Sequence, residues 1–129
     1  MRFSTIVLAI LSAAATGFAQ EMALTGGDAT YYNTGLGSCG VFNTDADFIV
    51  AVDIHTIQSF PGAGTNPNLN PMCGRQMKVT AANGKSVTVT VEDTCPTCAV
   101  GSVDLSPVAF QQLADLAVGR LHNVSWTLL

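Results

Sequence analysis

The chain has 129 residues, a formal net charge of −4 and only 11% charged residues. A chain of this length has room for one domain with a single hydrophobic core. Its few basic residues form no stripe or patch, which argues against nucleic acid and anionic membrane surfaces as partners. The composition therefore favours a neutral or uncharged partner.

The first residues have the pattern of an export signal. Arg2 supplies a positive charge, residues 5–15 are apolar, and Gly17-Phe18-Ala19 places small residues at both positions before a cleavage site. A membrane-spanning helix would need about 20 apolar residues, and this run is shorter. We therefore predict a signal peptide over residues 1–19 and a secreted, extracellular domain over residues 20–129.

Four cysteines in a small exported domain are most simply two disulfides. Three pairings are possible and the sequence alone does not decide between them. Cys95 and Cys98 are close along the chain, which favours a disulfide between them and leaves Cys39 to pair with Cys73. A four-cysteine zinc site would need two C-x-x-C pairs, and a redox centre would need a helix at the C-x-x-C. We therefore expect no metal and no cofactor.

The first half of the domain is predicted to alternate between strands and loops. After a short lead-in, residues 28–33 are β-prone, and the glycines within residues 35–40 predict an open loop. Residues 48–52 form an apolar run that predicts a buried strand, which residues 53–57 either extend or follow as a short helix. Residues 59–71 are rich in proline and asparagine, and they predict a loop.

The second half begins with a predicted β-hairpin. Asn83-Gly84 separates two β-prone segments and favours a type I′ turn, which needs a positive φ at both positions. In the second segment Val87, Val89 and Val91 alternate with threonines, so the valine face is predicted to be core.

A helix and a closing strand are predicted to complete the domain. Ser106 is the expected N-cap, Pro107 the first helical residue and Gly119 the end of the helix. The apolar stripe of this helix is expected to be Ala109, Leu113, Leu116 and Ala117. Residues 121–129 predict the last strand, with Trp126 in the core. About six short strands and one helix predict a small closed barrel.

Several short motifs of the domain, taken in order, resemble those of a known family. They are Gly27-Asp28-Ala29-Thr30-Tyr31-Tyr32, Ser38-Cys39-Gly40, Cys73-Gly74, Asn83-Gly84-Lys85, Asp93-Thr94-Cys95-Pro96-x-Cys98 and Val103-Asp104-Leu105-Ser106-Pro107. The combination resembles the double-psi β-barrel of expansins and rare-lipoprotein-A-like proteins, and its single-domain form resembles the fungal loosenins. The resemblance implies a mainly β fold: a six-stranded double-psi β-barrel with one or two short helices and two disulfides. We expect no second, carbohydrate-binding domain.

The resemblance also implies a set of site residues. Asp104 lies where the family has its functionally required aspartate, and Asp93 occupies the neighbouring acidic position. Cys95 stands where bacterial expansins have a groove tyrosine, so sugar stacking would fall to another aromatic residue. Each aspartate could have a structural role instead of a functional one. Asp104 could cap the backbone near the helix start, and Asp93 could brace a turn. The predicted ligand-binding residues are Thr30, Tyr31, Tyr32 and Asn33.

Family 45 endoglucanases share this barrel, which makes hydrolysis an alternative. Inverting hydrolysis requires an acid and a base about 6.5–9.5 Å apart with a water molecule between them. The acid position resembles Asp104, but the base position falls on Asn33, whose amide cannot accept a proton as a carboxylate does. The resemblance therefore implies a non-hydrolytic action, in which Asp104 hydrogen-bonds a glycan and aromatic rings stack on its sugars. Burial would raise the pKa of a carboxyl and favour activity in acid.

Three functions stay open at this point. The first is a secreted, monomeric, expansin-like protein that binds and loosens cellulose, chitin or another cell-wall polysaccharide without being an enzyme. The second is a protein-binding module, such as an effector or a papain inhibitor of this barrel type, acting through residues 58–72. The third is a weak endoglucanase-like hydrolase. Asn123-Val124-Ser125 matches a glycosylation sequon, but it falls in the predicted last strand, so we expect it not to be glycosylated. We expect His55 to be a satisfied or surface histidine without a catalytic role.

Overall fold

Six β-strands close into a barrel in the computed structural model, which describes residues 21–129. The strands are β1 (Ala23–Tyr31), β2 (Ile49–Asp53), β3 (Gln76–Thr80), β4 (Ser86–Cys95), β5 (Val103–Leu105) and β6 (Leu121–Leu128). Around the barrel they follow the order β1-β5-β2-β4-β3-β6, so the expected six-stranded barrel is confirmed. The predicted signal peptide over residues 1–19 lies outside the described residues.

Two of the strand pairs are parallel. β1 pairs in parallel with β5, and β2 pairs in parallel with β4, whereas the other neighbours are antiparallel. Parallel strands require long crossover connections, so these pairs join segments that are far apart along the chain. The side chains of Thr30 and Asp104, which are 74 positions apart, meet in this way.

The barrel interior is filled from every strand. Val87, Val89 and Val91 are all buried, so the predicted core face of β4 is confirmed. Trp126 on β6 is also buried, with 1% of its surface exposed, as predicted. Each fully buried aliphatic side chain contributes about 1.5–3 kcal/mol by leaving water, and this shared core holds the two halves of the chain together.

β1 starts earlier than its sequence predicts. The strand begins at Ala23, where the pattern indicated only a lead-in, and it ends at Tyr31. The register against β6 shifts twice, on either side of Gly27, and Gly26 has a φ of 74°. Gly26 and Gly27 interrupt the alternation of apolar and polar residues, so the sequence pattern did not predict a strand here. In the structure the strand bends at these glycines.

The hairpin at Asn83-Gly84 forms as predicted, but the predicted turn type is wrong. Only Gly84 has a positive φ, of 87°, so a type I′ turn is excluded. The backbone N–H of Ala81 donates to Lys85 O at 2.8 Å, and that of Gly84 donates to Ala81 O at 3.0 Å. The connection is therefore a three-residue loop that ends on a left-handed glycine.

Within residues 21–129, two short helices flank the barrel, and one corrects a prediction. The undecided segment after β2 is helix α1 (Ile54–Ser59), but the helix predicted from Ser106 to Gly119 is only α2 (Pro107–Gln111). Asp115 has extended backbone, with φ −63° and ψ 146°, so a continuous helix is impossible and Ala117 is exposed. A separate 3₁₀ turn ends at Gly119, and a second one spans Pro67–Leu69.

The predicted N-cap at Ser106 and the predicted first helical residue at Pro107 are confirmed. The serine occupies the cap position, but its side chain makes no cap hydrogen bond. Its buried hydroxyl instead accepts from the backbone N–H of Ile49 at 3.4 Å, which ties the start of α2 to β2.

Both predicted disulfides are present. Cys39 is bonded to Cys73 and Cys95 to Cys98, with Cα atoms 5.7 Å and 5.4 Å apart. In the chain-entropy model, closing the longer loop contributes about 3–4 kcal/mol of stability. Disulfides of this kind are typical of extracellular proteins. Across residues 21–129, no helix is long and apolar enough to cross a membrane.

Candidate functional site

Four residues from four neighbouring strands form a transverse row on the barrel. Thr30 on β1 pairs with Asp104 on β5, Asp104 pairs with Ala51 on β2, and Ala51 pairs with Asp93 on β4. Strands lie about 4.8 Å apart, so the backbones of Asp104 and Asp93 are about 10 Å apart. Ala51, which is buried, lies between the two aspartates in this row. We call these four residues the polar row.

Asp104 is the most perturbed carboxyl group of the row. Its Oδ1 accepts a hydrogen bond from Thr30 Oγ1 at 2.9 Å. Burial raises the pKa of Asp104 above its ordinary value, and the negative charge of Asp93 acts in the same direction. The hydrogen bond from Thr30 and the charge of Arg120 partly oppose this shift. The folded site therefore holds the proton of Asp104 more tightly than an exposed aspartate would.

Asp93 accepts three hydrogen bonds. Its Oδ1 accepts from the backbone N–H of Ser38 at 2.9 Å and from that of Thr94 at 2.8 Å. Its Oδ2 accepts from the hydroxyl of Tyr32 at 3.0 Å. Burial, then the charge of Asp93, raises the pKa of Tyr32 well above its ordinary value, so the phenol stays a donor. Asp93 therefore fixes a tyrosine ring and a loop beside the polar row.

The loop held by Asp93 lies directly against β4. A Cβ on Gly37 would stand 2.3 Å from Glu92 O and 3.2 Å from the Asp93 side chain, so only glycine fits there. The hydroxyl groups of Ser38 and Thr94 are 2.7 Å apart, and the N–H of Cys39 donates to Glu92 O at 3.2 Å. This loop, residues 36–42, is thus part of the rigid frame of the site.

A cleft of about 220 Å³ adjoins the polar row. Thr30, Asp104 and Ser102 line it together with the Cys95–Cys98 turn and Ala99. The disulfide therefore stands in the cleft, at the position where the resemblance implied a missing tyrosine.

Asp28 and Arg120 also line this cleft, and the sequence reasoning missed both. Asp28 accepts from Arg120 at 2.9 Å and contacts His122 Nδ1 at 3.1 Å. The hydrogen bonds with His122 and then Arg120 lower the pKa of Asp28. Asp28 was predictable from the sequence, because residues two apart in a strand share a face and Asp28 precedes Thr30 by two positions. Nothing in the sequence pointed to Arg120.

The wall of the cleft is held in place by a buried carboxylate. Asp53, with 0% exposure, accepts from the N–H of Gly101 at 3.0 Å. It also accepts from the backbone N–H of Thr56 at 2.8 Å and from the Thr56 hydroxyl at 2.7 Å. One side chain thus caps α1 and anchors the chain that leads from the Cys95–Cys98 turn into β5.

Asn33 stands beside a carboxylate that the sequence reasoning did not consider. The amide of Asn33 donates to Asp45 Oδ2 at 2.8 Å. The hydrogen bond from the N–H of Thr34, followed by that from Asn33, lowers the pKa of Asp45. A carboxylate with a lowered pKa is a weaker base, so the neighbourhood of Asn33 offers little general-base strength.

Tyr31 lies apart from the other predicted site residues. Its ring is 4.9 Å from that of Phe110, and its hydroxyl donates to Leu116 O at 2.9 Å. It shares the face of β1 with the buried Ala29, opposite to Thr30. The structure therefore brings together Thr30, Tyr32, Asp93 and Asp104. His55 is exposed on α1, and Asn123 is exposed on β6 with a φ of 58°.

The raised pKa of Asp104 predicts a pH-dependent stability difference. The folded protein binds this proton more tightly than the unfolded chain, so stability falls as pH rises between the unfolded and folded pKa values. An Asp104→Asn variant does not titrate there. We expect its unfolding free energy to exceed that of the wild type at pH 7, with the difference shrinking toward pH 3. Urea unfolding at several pH values measures this, and a difference that grows in acid would contradict it.

Within residues 21–129, no group of three or more histidine, cysteine or acidic side chains is placed to hold a metal ion.

Comparison with known proteins identifies the barrel. The chain is similar to the papain inhibitor of Streptomyces mobaraensis, with 35% identity over 101 residues that cover 78% of this chain and 68% of the relative. It is 32% identical over 114 residues to an "Allergen Asp f 7 homolog" of Arthroderma benhamiae, and the match spans only 37% of that relative.

Solved structures give the same picture. The Streptomyces papain inhibitor superimposes with a TM-score of 0.73 at 32% identity, covering 84% of this chain and 94% of that one. A variant of the Clavibacter michiganensis expansin in complex with cellohexaose gives a TM-score of 0.63 at 30% identity, covering 84% of this chain and 50% of that one.

The double-psi β-barrel family model, which is described as lytic transglycolase, matches residues 24–125. The expected fold is confirmed, and the chain belongs to this double-psi β-barrel family.

Proposed function

We propose that the protein binds cell-wall polysaccharide, cellulose or chitin, along the polar row and loosens it without hydrolysis, as a loosenin-type protein. The observation that carries the proposal is the row itself, in which the partly exposed side chains of Thr30, Asp104 and Asp93 lie on neighbouring strands in one register. A related expansin has been solved with cellohexaose, which supports a glycan as the ligand. We further propose that residues 1–19 are a signal peptide and that the domain acts outside the cell as a monomer.

The action we propose is a competition for hydrogen bonds. Sugar hydroxyl groups both donate and accept, and Asp104 with Thr30 offers both functions in one place. The half-buried ring of Tyr32, fixed by Asp93, supplies an apolar surface beside them. A glycan chain that binds here exchanges its bonds to neighbouring chains for bonds to the protein. No covalent bond changes in this process.

Two observations disfavour hydrolysis. The expected base position is an amide, Asn33, and the carboxylate beside it is a weakened base. Asp93 already accepts three hydrogen bonds, so it has little remaining capacity to activate a water molecule. Inverting hydrolysis needs both an acid and a free base.

The test compares the wild type with an Asp104→Asn variant and with Asp115→Asn as a control. Asp115 is exposed and makes no side-chain cap bond, so its change leaves the row intact. We expect at least about tenfold weaker binding to cellulose or chitin for Asp104→Asn, as for the loss of a hydrogen bond to a charged group. Weakening of filter paper should fall in parallel, without release of reducing sugar in any sample. Sugar release that depends on Asp104 would show that the protein is a hydrolase.

A second candidate is inhibition of a papain-type cysteine protease. The observation that favours it is coverage: the chain spans nearly all of the papain inhibitor structure, at a higher TM-score than for the expansin. Its test is whether the purified protein slows hydrolysis of a fluorogenic peptide by papain in a concentration-dependent manner.

A further inference from the structure

The loop of residues 36–42 carries an exposed apolar cluster. Leu36 is 70% exposed and Phe42 is 75% exposed, and the two residues pair in an antiparallel bridge. Bridged residues place their side chains next to each other on one face. Val41, also exposed, adjoins Phe42 along the chain. Large apolar side chains grouped on a surface mark an interaction site, whereas scattered ones need no explanation.

This loop is fixed from several directions. Within it, the N–H of Gly37 donates to Val41 O at 3.0 Å. The Cys39–Cys73 disulfide and a 2.8 Å hydrogen bond from Asn68 Nδ2 to Ser38 O tie it to the segment before β3. On its other side the Asp93 contacts hold it against β4. A loop fixed in this way loses little conformational freedom on binding, so its apolar contacts convert into affinity with little ordering cost.

Two exposed carboxylates near the loop, those of Asp45 and Asp47, make local hydrogen bonds. The carboxylate of Asp45 accepts from the backbone N–H of Thr34, and that of Asp47 accepts from the N–H of Thr44, both at 2.8 Å. These internal bonds lower the pKa of both carboxyl groups. The loop therefore exposes Leu36 and Phe42, and the acidic groups nearby already accept hydrogen bonds from the backbone.

The shape of this feature favours a concave protein partner. Two adjacent, exposed apolar side chains on a fixed loop can anchor in a cleft, whereas the flat face of a polysaccharide fits a flat platform. Protease–inhibitor complexes join pre-organised surfaces with little backbone movement and bury about 800 Å² on each partner. A loop that is fixed in place and carries apolar anchors offers such a pre-organised surface.

We propose that the loop of residues 36–42 docks into the substrate cleft of a papain-type cysteine protease, with Leu36 and Phe42 as its anchors. The proposal rests on the inhibitory function proposed above and assigns the surface that performs it. It moves the contact surface away from the cleft beside Asp104. It also replaces residues 58–72, the loop that the sequence suggested, as the main contact.

The experiment measures the inhibition constant for papain with the purified, disulfide-bonded protein. The test variant is the double substitution Leu36→Ser/Phe42→Ser, accompanied by the single variants Leu36→Ala and Phe42→Ala. The control is Val118→Ser/Leu129→Ser, which removes two similarly exposed apolar side chains elsewhere, 53% and 57% exposed. Thermal unfolding of every variant reports whether the fold is kept.

We expect inhibition by the double variant to be at least about 30-fold weaker than that by the wild type, as for the loss of interface hot spots. The control should match the wild type, and the single variants should lie between the two. Equal inhibition by the wild type and a folded double variant would overturn the loop assignment while leaving the inhibitory function in place. If the double variant fails to fold, unchanged inhibition by both single variants would overturn it. No inhibition by the wild type would overturn both the function and the assignment.

Discussion

Replacing Asp53 with alanine is expected to lower the unfolding free energy by about 3–5 kcal/mol, because three buried donors lose their acceptor. The carboxylate is fully buried and satisfies three donors, on Thr56 and Gly101. Alanine would leave these donors without a partner in the interior, and each unsatisfied group costs about 1–3 kcal/mol. For a domain of this size the unfolding midpoint should fall by at least about 12 °C.

The matched control for Asp53 is Asp115→Ala. Asp115 also precedes a helical turn, but it is exposed and its side chain makes no cap hydrogen bond. We expect no clear change in its thermal unfolding, measured by circular dichroism. Equal midpoints for the two variants would mean that the hydrogen bonds of Asp53 contribute no net stability.

Replacing Gly27 with alanine is expected to be the other severe change. A Cβ at this position would stand 2.0 Å from Gly101 O and 2.8 Å from Ser102 N, both of which are backbone atoms. Backbone cannot rotate away as a side chain can, so β1 and the wall of the cleft must separate. Overpacking usually costs about 1–3 kcal/mol, and we expect more than about 3 kcal/mol here. Glycan binding should fall as well, because Ser102 lines the cleft.

Gly35→Ala is the control for Gly27→Ala. A Cβ there meets no atom within 4 Å, and the backbone of Gly35 is not left-handed. Alanine at such a site is expected to change stability by less than about 1 kcal/mol, in the stabilising direction, by restricting the unfolded chain. Urea unfolding of both variants measures the contrast, and similar losses in both would show that the contact with Gly101 is not the cause.

Local patterns predicted much of the barrel. The alternation of Val87, Val89 and Val91 showed the core face of β4, because a strand repeats every two residues. The Asn83-Gly84 dipeptide located the hairpin. The parallel pairing of β1 with β5 had no local signal, because it depends on contacts between distant segments. The long helix was overpredicted, since Leu113 is drawn into the core and the chain turns before Leu116 can continue the stripe.

The candidate site was only partly predictable. Motif resemblance pointed to Thr30, Asp93 and Asp104, and the structure places them in one row. The sequence had no means of showing that Ala51 stands between the two aspartates, because that follows from the barrel order. The different positions of Tyr31 and Tyr32 were foreseeable in part. Tyr31 follows Ala29 by two residues, so it shares the core-facing side of β1, whereas Tyr32 lies beyond the strand.

The strand order also has a consequence for how the chain reaches its native state. The two neighbours of β1 are β5 and β6, the last strands of the described chain, so the first of these strands to be synthesised has no partner until the last two have been made. Pairing of such distant strands requires a large loss of chain entropy before the favourable contacts between them form. Such pairing makes folding slow. An unpaired strand that persists during synthesis invites association with other chains. An aggregation-prone strand would have β-branched apolar residues in its centre, whereas β1 has Gly26, Gly27 and Asp28 there. This composition protects the chain from aggregation while β1 is unpaired.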